Sequence, residues 1–312
     1  MEIAIMIEGQ DGLTWPRWQR IAQAVEALGF AGLYRSDHFT NAGPPDKDSL
    51  ELWLSLAWLA SHTTRIEFGP LVTPVSFRHP VFTARIGAQL DDLSGGRLTL
   101  GVGAGWQERE HTAFGFALLP PAERMDRFQE GLEVMTRLLR SDGPVSFEGR
   151  YYHLHEAQLL PRPQRPAGPP LLIGGNGPRR TLPLVARYAD EWNAVLIPAA
   201  RIAELNAHLD RLLAEQGRPA GALRRSLMTG IVLGRSDAEL SANLAGRDPA
   251  ALRERGLIVG VEAQVQEQLH TLAQAGVQRV MLQWLALDDL DGLEALASCC
   301  QAASPQVGAA SP

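Results

Sequence analysis

Residues 170–193 read PLLIGGNGPRRTLPLVARYADEWN. An apolar run from Leu171 to Ile173 stops at two glycines, an asparagine and a third glycine; a proline and two arginines then open a helical pattern, and a second strand-like run starts at Glu191. The stretch is one strand, turn and helix followed by the next strand, the repeating element of an α/β fold. Its turn also has a chemical reading. Gly174, Gly175 and Gly177 let the backbone approach a ligand closely and turn its N–H groups towards it. Pro178 suits the first position of a helix, where its missing N–H costs nothing. Arg179 and Arg180 then fall in the first turn, where the macrodipole disfavours cations unless an anion is bound. Two uses fit these residues: a phosphate cradle, or a tight connection with its arginines in solvent.

The same unit recurs outward in both directions. IAIMI precedes a helix from about Trp15 to Leu28, GLYRSD one from Ser49 to Ser61, RIEFGPLVT one from His79 to Leu93, and RLTLGVG one from Pro121 to Leu139. In the last of these, Met125, Phe128, Leu132, Met135 and Leu138 recur at three- and four-residue steps and make one apolar face. After 170–193 come a helix carrying Ile202, Leu205, Leu209 and Leu212, then SLMTGIVLG with helical sequence to Gly276, interrupted near 256–260, then RVMLQWL and a last helix through Leu296. About eight units close a (β/α)8 TIM barrel, whereas an open doubly wound sheet would have fewer. We therefore expect an α/β fold with one barrel domain over residues 1–300. An insertion over about 142–170, a short hairpin in VSFEGRYYHL and a Pro-rich crossing, separates the fourth helix from the fifth strand. The small, polar residues 301–312 read as a disordered tail.

Composition narrows the chemistry. The chain has 312 residues, 45% of them hydrophobic, and a net charge of −6, which argues against a nucleic-acid surface. It has no apolar run long enough to span a bilayer, and Glu2 stands where a signal peptide would carry positive charge, so a cytoplasmic protein with no membrane partner is expected. Lys47 is the single lysine and lies in the loop-like NAGPPDKDS. A Schiff-base lyase needs a lysine on a strand and a P-loop needs one after its glycines, so both classes are excluded. Cys299 and Cys300 are adjacent and read as reduced and structural.

Barrel catalysis occurs at the C-terminal ends of strands. His38 is the histidine at such an end, with Asp37 beside it; it fits a general acid or base, or a satisfied structural residue. GVGAGW matches a dinucleotide fingerprint only weakly, and Gly103 and Gly105 read as backbone clearance for a flat ligand, with Trp106 near the same mouth. Asn193, Gln283 and Trp284 end later strands. His153 and His155 have the spacing of a metal pair but fall in the inserted hairpin, so no metal is expected; His79 reads as part of a helix start.

Taken together, GLYRSDHF (32–39), LVTPVSFRHP (71–80), LDDLSGGRLTLGVGAGW (90–106), ERMDRFQEGLEVM (123–135) and the 170–193 stretch resemble the luciferase-like monooxygenase superfamily of flavin- and deazaflavin-dependent barrels. Within it the chain is most similar to oxidoreductases that use coenzyme F420, a deazaflavin. The resemblance is strong over residues 1–195 and weaker beyond. It implies that Leu71, Val72 and Thr73 form a bulge, often with a non-prolyl cis peptide, behind the tricyclic ring. It also implies that Gly174, Gly175, Asn176 and Gly177 hold the cofactor phosphate and that His38 lies near the reactive edge of the ring; as catalytic pair we expect His38 to stabilise or protonate the reacting groups, with the adjacent Asp37 orienting it. Asp37, His38, Gly103, Gly105 and Trp106 thus join the expected cofactor contacts, and a homodimer is expected by family analogy. Sugar-phosphate and alcohol dehydrogenases of the superfamily carry a glutamate where Trp106 stands and a tryptophan where Ala42 stands. Their acid–base scheme is therefore not carried over, and Trp106 suggests an apolar or aromatic substrate. The implied activity is hydride transfer between the deazaflavin C5 and a small organic substrate. The alternatives are an FMN-dependent monooxygenase using reduced flavin and O2, and a non-catalytic flavin-binding protein.

Overall fold

Apolar runs such as residues 4–7 and 171–173 bury every side chain, which a strand achieves inside a sheet covered on both faces. In the computed structural model, which describes residues 1–302, the strands are β1 (Glu2–Ile7), β2 (Gly32–Arg35), β3 (Glu67–Pro70), β4 (Thr73–Pro74), β5 (Leu100–Gly103), β6 (Val145–Glu148), β7 (His153–Ala157), β8 (Leu171–Gly174), β9 (Glu191–Val195), β10 (Arg224–Leu233), β11 (Ile258–Gly260) and β12 (Arg279–Gln283). The helices are α1 (Trp15–Ala27), α2 (Leu52–His62), α3 (Pro80–Leu93), α4 (Glu108–Phe114), α5 (Pro121–Arg140), α6 (Thr181–Tyr188), α7 (Ala199–Glu215), α8 (Asp237–Leu244), α9 (Pro249–Glu254), α10 (Glu262–Gln274) and α11 (Leu290–Ala302).

The main sheet runs β3-β2-β1-β12-β10-β9-β8-β5-β4, with parallel pairing throughout. β3 and β4 are the two ends of one barrel strand, interrupted at Leu71 and Val72. A bridge from Phe68 to Leu98 brings β3 against the chain entering β5, so the ring is nearly closed. The expected (β/α)8 architecture is thus the observed one. Helices cover the outside; α5 buries Phe128, Leu132, Met135 and Leu138, the face its spacing predicts. The inserted β6–β7 hairpin lies between α5 and β8, paired antiparallel with Glu148 opposite His153. Cys299 and Cys300 are free and buried. Among the described residues no helix is long and apolar enough to cross a membrane. The expected tail falls, beyond Ala302, outside the described residues.

Two elements depart from the sequence reading. A short helix, α4, follows β5 ahead of the helix that the sequence places from Pro121 to Leu139. The stretch before Gly276 is not one interrupted helix: β10 is ten residues long, and β11 pairs with its outer end at Ile231 to Leu233. Val232, Leu244, Leu252 and Val259 then form a small core of their own, because these residues stand beyond the barrel and have no other apolar surface to bury.

The closed end of the ring is pinned by charge. Arg279 on β12 meets Glu2 of β1 and Glu67 of β3 at 2.6 Å, Glu191 of β9 at 3.4 Å and the Tyr34 hydroxyl of β2 at 2.7 Å. Burial would lower the arginine pKa, but the surrounding tyrosine and carboxylates raise it above its ordinary value. Burial likewise raises the Glu191 pKa, so that carboxylate depends on its cation. Arg224, the other nearby guanidinium, approaches Glu191 only at 3.8 Å. Replacing Arg279 by Met should therefore destabilise the protein by about 3–5 kcal/mol in urea unfolding; a loss below about 1 kcal/mol would show that the ring does not depend on this cation.

Candidate active site

A cavity of about 470 Å³ opens at the C-terminal ends of the barrel strands, within the range of small-molecule sites. His38, Leu71, Val72, Gly103, Gly105, Trp106, Gly174 and Gly175 line it, while Asp37, Thr73, Asn176 and Gly177 do not. Sequence reasoning also left out several lining residues: Glu8 at the end of β1, Glu110 on α4, Leu196 and Met228 beyond and on β9 and β10, and Thr181 at the start of α6.

One wall is an apolar shelf. The Leu71–Val72 peptide is cis, as the resemblance implied. Val72 is seated by glycines: a Cβ on Gly103 would lie 2.6 Å from its Cγ2, and one on Gly101 3.2 Å from its Cγ1. Gly103 thus gives clearance to Val72 first and to the cavity second. Thr73 is buried beneath the shelf and donates to Asp37 Oδ2 at 2.7 Å. Asp37 also accepts from Arg78, which reaches on to Glu51.

Asp37 therefore does not orient His38. Consecutive side chains at a strand end point to opposite sides, and Asp37 turns to the bulge while His38 turns to the cavity. The orienting group is Glu110, which is 1% exposed. Its Oε1 lies 2.8 Å from His38 Nδ1, and its Oε2 accepts the Phe39 N–H at 2.9 Å. With Nδ1–H donated to a carboxylate, Nε2 is left for the cavity. Burial alone would lower the imidazole pKa; the hydrogen bond and charge of Glu110, reinforced by Glu8 and Asp37, outweigh it and raise the value. α4 carries the only local signs of this arrangement, two acidic residues in its first turn and a left-handed Gly115 at its end. Trp106, 62% exposed, stands edge-on to His38 at 5.6 Å between centroids and forms the rim.

The glycine turn is built differently from its sequence reading. α6 begins at Thr181, with Arg180 at its N-cap, so Pro178 is not the first helical residue and the arginines precede the helix. The chain cannot enter the helix earlier because Asn176 is fastened to β9: its amide donates to Val195 O at 2.7 Å and accepts from Val195 N at 3.0 Å. Arg180 pairs with Asp126 of α5. Gly175 N is taken by Asn193 O, whereas the amides of Asn176, Gly177, Arg179 and Arg180 have no partner among the described residues. Gly175 has φ +123°, and a Cβ on Gly177 would lie 2.8 Å from Thr181 Oγ1. Free N–H groups beside a hydroxyl suit an anionic oxygen group.

The far end of the cavity is polar. Glu8 accepts from Gln283 Nε2 at 2.7 Å and from Gln10 Nε2 at 2.9 Å, and Gln10 in turn accepts from Ser36 Oγ at 2.6 Å. Met125, Phe128 and Met228 add apolar surface to the same cavity. Among the described residues there is no cluster of three or more side chains fit to hold a metal. The cavity thus combines an apolar shelf, an imidazole and the two ends of a turn with free amides.

The sequence profile of the luciferase-like monooxygenase family matches residues 4–252. The chain is 35% identical over 187 residues to 4-hydroxyprotoasukamycin monooxygenase of Streptomyces nodosus subsp. asukaensis, covering 60% of this chain and 48% of that protein. It is 36% identical over 177 residues to the F420-dependent hydroxymycolic acid dehydrogenase of Mycobacterium tuberculosis, covering 55% and 47%. The chain thus spans about half the length of the curated relatives it matches. Among solved structures, an F420-dependent secondary alcohol dehydrogenase in complex with an F420–acetone adduct superposes with a TM-score of 0.82 at 20% identity, over 97% of this chain and 99% of that one, a likeness of fold.

The Glu110 hydrogen bond has a measurable signature. The His38 imidazole should titrate above the ordinary histidine value of about 6.5 by NMR, and Glu110→Gln should lower it. Because the folded pKa is the raised one, this pair stabilises the fold fully below the unfolded value and ceases to do so as pH rises through the folded value. A His38 pKa at or below the ordinary value would refute the assigned orientation.

Proposed function

The chain belongs to the luciferase-like monooxygenase family, and from that premise we propose that it is an F420-dependent oxidoreductase passing a hydride between the deazaflavin and a small apolar or aromatic substrate. The observation that carries this reading is the meeting in one cavity of the Leu71–Val72 shelf, His38 held by Glu110, and Gly174, Gly175 and Thr181, the two ends of a turn whose amides at 176, 177, 179 and 180 are free. A deazaflavin, when bound, supplies hydride chemistry at its C5.

The protein supplies the rest. Leu71 and Val72 support one face of the ring, and Thr181 with the amides of Asn176, Gly177, Arg179 and Arg180 holds the phosphate. His38 acts as catalytic residue, presenting Nε2 to the reacting substrate atom as proton donor or acceptor. Glu110 keeps that nitrogen aimed and stabilises the imidazolium. Trp106 and the methionine wall exclude water from the open face. The similarity to an F420-dependent dehydrogenase supports this cofactor.

A second reading, an FMN-dependent monooxygenase, is favoured by the similarity to a named monooxygenase. The two cofactors share the tricycle and the phosphate, and deazaflavins react poorly with O2, so the cofactor decides the reaction class. Anaerobic fluorescence titration should give saturable binding of F420, tighter than FMN; the opposite order moves the assignment to the monooxygenase, and binding of neither overturns the site. His38→Ala should leave F420 affinity nearly unchanged and lower turnover by about 10²-fold or more; unchanged turnover removes His38 from the mechanism.

The assembly is proposed to be a homodimer through the outer layer at α2 and α3, where Leu54 and Phe82 are 64% and 61% exposed. Light scattering should report a dimer for the wild type and a monomer for the Leu54→Glu, Phe82→Glu double variant; a monomeric wild type would exclude it.

A further inference from the structure

The polar end of the cavity is built from acceptors. Glu8 is half-buried, and each of its carboxylate oxygens accepts one amide hydrogen bond while keeping a further lone pair for a ligand. Gln283 Oε1 has no partner among the described residues. No Lys or Arg lines the cavity among those residues; its charged groups are Glu8 and the His38–Glu110 pair. Arg35 stands near enough to feel the charge of Glu8 but spends its hydrogen bonds on Ser36 O, Ser55 Oγ and Leu50 O, and Arg78 donates to Asp37 and Glu51. Most of the remaining surface that a ligand would meet is apolar, from Met125, Phe128, Leu196, Met228 and Trp106, with Ser36, Thr181 and Asn193 as neutral polar groups.

A carboxylate in such a setting has its hydrogen-bonding capacity partly met and, among the described residues, makes no ion pair, although His38 and Arg35 feel its charge. A ligand cation repays the cost of removing Glu8 from water, a neutral hydroxyl repays part of it, and a ligand anion adds repulsion to it. We infer that Glu8 determines substrate specificity, selecting an apolar skeleton that ends in a hydrogen-bond donor, a protonated amine before a hydroxyl, and rejecting a carboxylate or phosphate at that end. The inference rests on the reading of this cavity as the substrate site of a cofactor-dependent oxidoreductase, and names the class of molecule that site takes.

Three probes with one skeleton separate the head groups: 2-phenylethylamine, 2-phenylethanol and phenylacetate, titrated calorimetrically into the cofactor-loaded protein near neutral pH. The amine should bind tightest and phenylacetate weakest, with the two differing by about tenfold or more, as for a hydrogen bond to a charged group. Glu8→Gln, which keeps the shape and removes the charge, should abolish the preference of the amine over the alcohol and raise phenylacetate affinity. Phenylacetate binding as tightly as the amine, none of the three binding, or a ranking unchanged in Glu8→Gln each overturns the inference. Cofactor titration of the same samples keeps the two levels apart. Normal cofactor binding with the wrong ranking sinks only the role of Glu8, whereas a wild type that binds no cofactor sinks the function on which that role rests.

Discussion

One guanidinium at the closed end of the ring, that of Arg279, reaches side chains from four other strands. A parallel sheet that nearly closes has all its strand C-termini at one mouth, and this buried cation fixes the opposite end so that the mouth has a defined width. The groups argued to do chemistry stand at that mouth, each delivered by a different strand. Breaking a buried pair of this kind costs more than its presence adds, because the remaining carboxylate stays in the interior without a counter-charge. The distance between His38, on the loop after β2, and the glycine turn after β8 is thus a property of the ring rather than of either loop.

Within the mouth the work is divided between backbone and side chains. The backbone supplies the shelf at Leu71 and Val72 and the free amides after Gly175. Side chains supply aim: Asn176 ties the turn to β9, Asp37 ties Thr73 to Arg78, and Glu110 ties His38. Such support is what holds a site to the tolerance that hydride or proton transfer demands.

How much of this was legible in the sequence follows from the range of each interaction. Most of the strands are local patterns, apolar runs broken by Gly and Pro, and they stand where the sequence places them; the long β10, the β11 paired to it and the entry into α6 do not. Local propensity places Arg180 in a helical turn because it ignores the anchoring of Asn176 to β9, nineteen residues away. Glu110 lies 72 residues from His38, on a helix of seven residues, too short to show a period. Proximity in sequence pointed instead to Asp37, which the alternation of side chains carries to the other side. Glu8 was within reach of strand-end reasoning, since it follows IAIMI directly, but a single carboxylate among apolar neighbours gives no sign of the amides that hold it.

The claim on which the account turns is that the strand-end mouth grips a flat redox ring by a phosphorylated arm. A crystal structure grown with oxidised F420 tests it directly. The account predicts the ring against Val72 with His38 Nε2 on its open side, and the phosphate within hydrogen-bonding distance of the amides of residues 176–180 and of Thr181 Oγ1. A phosphate lodged at any other loop, or a ring lying away from the Leu71–Val72 shelf, would contradict it.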